Sequence, residues 1–386
     1  NYRKRRYFQY NNRKMNEKIN IETGDDSTNI TGKTVNVTNI FNQGLTEEKV
    51  TEIIDKKLEM LSTVQVFTQE ACKIAESRVK KLEEIVIPRI AKIDETLGVF
   101  ADPSFQSVLN DAVKVAAQTD EVESYKLLSE LLAHKVEKPN DKSVKMDVIY
   151  AIDVIDKITD EALQAITVFV ALQSWSPTSG IISQGVATIN NIYSRLLFSN
   201  LPTDDKWIDQ LDILKVIRIQ SFGEFPSLIE FQKRLFSGYV VCGIPKNSEK
   251  LNEIYQLMDD CSIPRSCLIE NELDSNYYRL PLVNINNITE MDYFDTNTPF
   301  IHGRIRLNEK QISNIKKIIS YYENEGNKLQ EISEKFNTKW NSFENLKKIG
   351  EWWTKLPCAF GLTSIGKVLA ITNAQRIDST LPKIDL

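Results

Sequence analysis

The triplet Gly32-Lys33-Thr34 is the first stretch of the chain whose residue types could do chemistry. The same triplet ends a P-loop, in which backbone amides and the lysine hold nucleotide phosphates. A P-loop also has a glycine five positions before that glycine, and a helix directly after the threonine. Ser27 occupies the first position, and residues 35–40 alternate apolar with polar side chains, which is typical of a strand. The triplet therefore does not predict a nucleotide site.

The two histidines supply few options for acid–base catalysis. His134 lies at a predicted helix end, where a protonated ring would interact favourably with the helix dipole, and His302 lies beside Arg304. Neither has a recognisable nucleophile as partner. The acid pairs Asp204-Asp205 and Asp259-Asp260 fall at helix ends or in turns, where acids are common in any case. The sequence therefore assigns no catalytic residue and no cofactor, and it leans towards a protein that is not an enzyme.

The five cysteines are scattered and odd in number, which fits buried thiols in a reducing cytoplasm better than a disulfide framework. Two of them are close in sequence, but a zinc site would need a second close pair or nearby histidines. No metal site is predicted. The cysteines are Cys72, Cys242, Cys261, Cys267 and Cys358.

The overall charge is −5 with a pI near 5.5, which argues against a dedicated nucleic-acid binder. Residues 1–18 depart from this average and form a basic leader that could contact anionic lipid or RNA. The favoured interpretation is that Met15 is the natural start and that residues 1–14 are not native.

Residues 19–44 predict two or three very short strands separated by turn residues. Such a β segment has no core of its own and needs a partner surface, for which other copies of the chain are the simplest source. We therefore expect a homo-oligomer. The assembly residues predicted by the apolar pattern are Ile30, Val35, Val37, Ile40 and Phe41.

From residue 45 the apolar spacing becomes helical. Residues 45–100 predict an elongated helix or helical hairpin, and residues 101–200 an antiparallel helical bundle with short polar turns. Ala162 to Ser194 carries no charged residue, but its apolar run is far shorter than the ~20 residues of a transmembrane helix. We expect a buried bundle helix followed by an uncharged loop, with membrane insertion as the alternative.

Residues 201–308 predict a small α+β module, with strands at Tyr239–Val241 and in FIHGRIRL. Residues 309–386 predict a long helix of near-heptad spacing, with Gly326 as a possible break, and a terminal helical segment. Trp352 and Trp353 are adjacent and cannot both face one way on a helix. The favoured interpretation places both in the core; the alternative makes one a partner contact.

Several phrases together resemble an uncharacterised bacterial family known only by locus-tag names. They are the GDDSTNI…VNVTNIF leader, FADPSFQSVLNDAVKVAAQTDEVESYKLLSELLAHKVEK, ITDEALQAITVFVAL and LTSIGKVLAITNAQR, the last of the form LTxxGxxLAxxN. The resemblance implies no activity. The leader is also similar to those of effector and sensor modules in bacterial conflict systems such as anti-phage defence.

The sequence leads to three functional hypotheses. The first is a cytoplasmic, self-assembling scaffold, sensor or effector that binds an unknown protein partner. The second is a membrane-perturbing effector that releases the uncharged 162–194 region. The third is an enzyme with its site in residues 201–307, for which Asp259, His302 and Arg304 are the residues to test.

Overall fold

The computed structural model describes residues 68–220, 223–294, 301–324 and 326–384. The basic leader and the β segment, with Ile30, Val35, Val37, Ile40 and Phe41, lie outside these residues. The described chain is mainly α-helical with small antiparallel sheets, as the sequence predicts.

An antiparallel bundle occupies the first half of the described chain. α1 alone is 24 residues long, about 36 Å at the usual helical rise. Two helices begin at side-chain caps: Asp102 accepts a bond from Ser104 N ahead of Pro103, and Thr159 accepts one from Ala162 N. The helices are α1 (Thr68–Ala91), α2 (Pro103–Gln118), α3 (Val122–Glu137), α4 (Lys142–Val154), α5 (Asp160–Ser174), α6 (Ile182–Leu196) and α7 (Lys206–Ile213).

The bundle buries α5 completely. Every residue from Ala162 to Leu172 is shielded from solvent, including the polar Gln164 and Thr167. The absence of charge in this stretch therefore reflects burial on all faces of the helix. Among the described residues, no helix is long and apolar enough to cross a membrane.

The second half of the chain mixes short helices and strands. The helices are α8 (Leu228–Leu235), α9 (Leu251–Asp260), α10 (Glu309–Ile319), α11 (Gly326–Asn341), α12 (Glu344–Trp353) and α13 (Ser364–Ile377). The strands are β1 (Ile217–Ile219), β2 (Ile244–Pro245), β3 (Ile269–Glu270), β4 (Tyr277–Arg279), β5 (Glu290–Phe294), β6 (Ile301–Arg306) and β7 (Phe360–Leu362).

Three antiparallel sheets connect distant parts of this half. β1 pairs with β7, with Ile217 opposite Leu362 and Ile219 opposite Phe360. β2, β4 and β3 form a three-stranded sheet in that order, and β5 pairs with β6. The β1–β7 pair returns the chain to the bundle, where α13 packs against α3, α4 and α5.

Two sequence expectations are wrong in this half. Tyr239–Val241 is buried but forms a turn instead of a strand, because the amides of Tyr239 and Val240 both bond to Phe236 O. The helical run expected from Glu309 is three helices, of which the second begins at Gly326, the possible break. The first stops after Ile319 because Glu323 N bonds to Gly243 O and Tyr322 accepts the Leu280 amide, both from a distant part of the chain.

The buried apolar residues fall into two clusters. The first core contains the bundle, α7, α8, the residues around Phe236–Cys242, α11, α12 and α13. The second core draws on residues 244–318, including α10. The second core draws its buried apolar residues from residue 244 onwards, whereas those from Trp207 to Cys242 pack with the bundle.

Candidate functional site

An open groove lies on the surface of the first core. We call it the tryptophan groove; its walls are the start of α5, the end of α6 with the loop that follows, α7, and α12. Its volume is about 1080 Å³. The residues that line it include Glu161, Asp204, Lys206, Trp207, Lys348, Glu351, Trp352 and Lys355.

Buried polar bonds hold the groove walls in place. The Gln164 side chain, fully buried on α5, donates to Leu196 O at 3.1 Å and accepts from Ser199 N at 2.9 Å. These two bonds anchor the loop after α6. Gln210 on α7 accepts a bond from Thr159 Oγ1 at 3.1 Å, which joins α7 to the start of α5.

Trp207 and Trp352 lie side by side in the groove, with ring centroids 6.1 Å apart. Only 4% and 6% of these residues is exposed. Neither indole N–H has a hydrogen-bond partner within the described residues, and neither nitrogen is shut off from solvent. Buried tryptophans usually satisfy this donor, so the groove contains two indole donors that are available to a ligand.

The other three tryptophans show the contrast. Trp175 donates to Pro382 O at 3.0 Å, Trp340 to Leu346 O at 3.0 Å, and Trp353 to Pro226 O at 2.9 Å. The two tryptophans of the groove therefore differ from those of the interior by their unused donors.

The groove carries charges of both signs. Lys348 pairs with Glu344 at 2.7 Å and Glu351 with Lys347 at 3.9 Å, so each has a partner outside the groove. The Lys348 ammonium lowers the pKa of the Glu344 carboxyl through their hydrogen bond. Lys206 and Lys355 are exposed and pair with no carboxylate of the described chain. These two ammonium groups are free to meet an anionic ligand.

The structure separates the two tryptophans that the sequence singled out. Trp353 belongs to the core, where its ring centroid is 5.0 Å from that of Phe231 and 5.3 Å from that of Phe225. Trp352 is buried as well, but it lines the groove. Burial of both side chains agrees with the favoured core interpretation and leaves little of Trp353 for a partner to touch.

Trp207 is the groove residue that the sequence did not indicate. It stands apart from Trp352 in sequence, and nothing in the spacing of α7 distinguishes it from a core residue. Its unpaired donor is visible only in the folded chain.

Asp259 and Arg304, two of the residues to test for an enzyme, form ion pairs with different partners. Asp259 pairs with Arg265 at 2.5 Å on an exposed surface, and hydrogen bonding to Arg265 lowers the pKa of its carboxyl. Arg304 pairs with Glu290 and Asp292, each at 3.5 Å. Asp204 and Asp205 lie in the turn before α7, with Asp204 accepting a bond from Lys206 N. The His302 side chain is outside the described atoms.

His134 contradicts the expectation of a dipole-stabilised cation. It lies in the last turn of α3, as predicted, but burial and then the nearby Lys138 ammonium lower its pKa. Its Nε2 atom is buried without a hydrogen-bond partner in the described chain. The ring is therefore neutral near pH 7.

The five cysteines are free thiols, as the sequence indicated. Burial raises the pKa of Cys242 to about 11, so this thiol stays protonated. Within the described residues no group of histidine, cysteine and acidic side chains is arranged to hold a metal ion.

A protein-family model with the description ":-like" matches residues 44–386. The chain belongs to this family, which is uncharacterised and known by locus-tag names. No curated protein and no solved structure matches the chain.

Proposed function

We propose that this protein is a non-enzymatic scaffold or sensor that self-assembles through its amino-terminal segment and binds a protein partner in the tryptophan groove. The observation that carries the proposal is the pair of unused indole donors of Trp207 and Trp352. Donors held in a concave site favour a ligand rich in acceptors.

A polypeptide segment fits this groove better than a small molecule. The volume of about 1080 Å³ lies at the upper end of the ~300–1,000 Å³ usual for small-molecule pockets, so the groove has room for a chain segment and its donors decide the choice. Backbone carbonyls match the indole donors, and carboxylate side chains match the free ammonium groups of Lys206 and Lys355. The overall negative charge of the protein does not favour nucleic acid as this ligand.

Assembly is proposed for Ile30, Val35, Val37, Ile40 and Phe41, which lie outside the described residues. Light scattering on residues 15–386 and 45–386 gives the mass of each form. We expect a lower mass for the shorter chain with its helical circular dichroism retained. Equal masses would rule out assembly through this segment.

A pair of substitutions refines the assembly test. The predicted alternation puts Val35 and Val37 on one face and Asn36 and Thr38 on the other. Val35→Asp with Val37→Asp should lower the mass, whereas Asn36→Asp with Thr38→Asp adds the same charge and should not. Equal effects of the two pairs would speak against a one-sided assembly face.

The groove is tested separately with peptides selected from a random library on residues 15–386. Lys206→Glu with Lys355→Glu should weaken binding of the selected peptides at least tenfold, and binding should weaken further with salt. Lys142→Glu with Lys316→Glu, two exposed lysines elsewhere, is the control. Peptides that bind both variants equally would place their site outside the groove.

The membrane alternative would require α5 to leave the core. All eleven residues from Ala162 to Leu172 are buried, so release would expose the centre of the bundle to water. Leakage from liposomes that depends on Val168, Phe169 and Leu172 would support that alternative. Turnover of a nucleotide substrate that is lost on changing Asp259, His302 or Arg304 would support an enzyme.

The proposed setting is a reducing cytoplasm, which suits five free cysteines. A role in bacterial defence rests on the similarity of the leader to those of conflict-system modules. Expression of residues 15–386 and 45–386 in bacteria challenged with phage tests that context, with protection by the longer chain alone as the expected result.

A further inference from the structure

The two cores meet at a short turn before α6, which side chains from both parts of the molecule hold. We call it the serine–glycine clasp, formed by Ser179 and Gly180 with Tyr239, Arg279 and Asp292. Asp292 Oδ2 accepts from Gly180 N at 2.7 Å and from Ser179 Oγ at 3.0 Å. Arg279 donates to Gly180 O at 2.5 Å, and the Tyr239 hydroxyl donates to Ser179 O. Four polar atoms of a two-residue turn are thus bonded by three side chains.

The holding side chains are deeply buried. Arg279 and Tyr239 are 0% exposed and Asp292 is 3% exposed. Both charged side chains also have partners outside the turn, because Arg279 donates to Gly238 O and Leu280 O at 3.2 Å and Asp292 pairs with Arg304 at 3.5 Å. Arg279 Nε has no partner within the described residues, so the closed clasp keeps one donor unsatisfied that water would reach on opening.

Close packing around two glycines also fixes the clasp. A Cβ atom on Gly180 would lie 1.9 Å from Pro281 O. On α6, a Cβ atom on Gly185 would lie 1.9 Å from the Tyr239 hydroxyl oxygen. The second core therefore packs against the backbone of the turn at Gly180, whereas Tyr239, which belongs to the first core, packs against the backbone of α6 at Gly185.

The same helix extends from the clasp to the tryptophan groove. Ile181 packs on the second core and Ile182 on the first, so α6 begins at the boundary between them. Its 15 residues span about 22 Å, and its far end contributes Ser194 and then Leu197 to the groove. A movement at the clasp thus acts on a rigid element that ends in the groove.

Both walls of the groove are connected to the second core. Glu272 accepts a bond from Ser183 N on α6 at 3.0 Å and pairs with Lys339 on α11 at 3.3 Å. α11 packs on α12, and α12 packs on α6.

We propose that the second core controls the tryptophan groove through α6, with the closed serine–glycine clasp holding the groove in its present shape and an open clasp loosening it. Occupation of the groove and closure of the clasp are then linked, and each biases the other. This regulation rests on the groove being the binding site proposed above.

Amide hydrogen exchange on residues 15–386 tests the coupling without a ligand. Asp292→Asn keeps the shape of the side chain and removes its charge. We expect exchange about tenfold faster in residues 177–185, as for loss of one charge-assisted bond, and at least about threefold faster in residues 194–205. Residues 103–137 on the far side of the bundle should be unchanged. Glu290→Gln, which removes the other acid beside Arg304, is the control.

Faster exchange confined to residues 177–185 would overturn the proposal. If Asp292→Asn accelerates exchange throughout the chain, Ser179→Ala takes its place, and the same two outcomes decide. It removes no charge and only the hydroxyl, with its bonds to Asp292, Gln184 and Ile181 N. Peptide binding by the unaltered chain is measured independently. Coupled exchange without peptide binding would refute the proposed function alone, and peptide binding with uncoupled exchange would refute the clasp alone.

Discussion

The Asn373 amide on α13 donates to Thr167 Oγ1 on α5 at 2.9 Å, where both residues are buried in the middle of the bundle. Thr167 donates in turn to Leu163 O at 2.6 Å. Asn373 Oδ1 accepts from Arg376 Nε at 2.9 Å, and the Arg376 guanidinium pairs with Glu123. A continuous polar chain thus links the last helix to the centre of the first core.

Replacing either end of the Asn373–Thr167 bond should destabilise the fold. We expect Asn373→Leu or Thr167→Val to lower the free energy of unfolding by about 1–3 kcal/mol, because each leaves a buried polar group unpaired. The double variant should lower the free energy of unfolding by less than the sum of the two single variants. Urea denaturation of all four proteins measures this difference. Thr188→Val removes a similar hydroxyl bond on the solvent-exposed face of α6, and it should change the free energy of unfolding little. Additive single effects would show that the two side chains do not depend on each other.

The indole nitrogens predict different outcomes for neighbouring tryptophans. Trp353→Phe should lower the free energy of unfolding by about 1–2 kcal/mol, because Pro226 O loses its donor in the core. Trp352→Phe keeps an aromatic ring and removes a donor that has no partner among the described residues, so a loss of about 0.5 kcal/mol or less in the free energy of unfolding is expected. Denaturant midpoints compare the two. A larger cost at Trp352 would mean that its N–H is already used within the protein.

His134 predicts a loss of stability on the acid side. Burial lowers the pKa of the folded ring below its usual 6.5, so the unfolded chain takes up a proton at higher pH than the folded chain does. The destabilisation caused by His134 is absent well above pH 6.5, and it grows as the pH falls from there to the pKa of the folded ring. The melting temperature should fall by on the order of 1 °C per pH unit from this group, since the ring is only half-buried.

His134→Gln is the test variant for that slope, because glutamine does not titrate. Melting temperatures at pH 7.5 and 5.5 should differ less in the variant than in the parent chain. Equal differences would assign the acid sensitivity to other groups. Asp160, whose pKa is raised by burial and then by Glu121 and Glu161, works in the opposite direction at lower pH.

Two glycines near the carboxyl end should respond differently to alanine. A Cβ atom on Gly366 would lie 2.1 Å from Val216 O, so Gly366→Ala must push α13 away from β1. We expect a loss of about 2–4 kcal/mol in the free energy of unfolding. Gly361 in β7 has no atom within 4 Å of the same position, and Gly361→Ala should change stability by about 0.5 kcal/mol or less. Equal effects would show that α13 can shift without cost.

The helical part of the fold follows from patterns within short windows. The uncharged loop expected after α5 is wrong, because residues 182–196 form α6. Helix caps are present at Asp102, Thr159 and Thr363, and the apolar spacing of α2 to α5 and the burial of the apolar part of the uncharged stretch match the structure. Each of these features depends on residues a few positions apart, which is the range over which helix periodicity and capping act.

The strand expected at Tyr239 is absent and the helical run from Glu309 is interrupted because contacts between residues far apart in sequence override the local pattern. Bonds from Gly243, Leu280 and Phe236 decide the local backbone there, and all are set by packing. Short strands of two to six residues offer too little pattern to outweigh such contacts.

The sequence by itself determined a mainly helical chain of negative charge, with free cysteines and adjacent tryptophans near the carboxyl end, because composition and helical period are local properties. Only the tertiary structure decided which tryptophans keep an unused donor, where the second core begins and how Asp292 and Arg279 hold the Ser179–Gly180 turn. These relations join residues far apart in sequence, and their hydrogen bonds exist only once burial has brought the groups together.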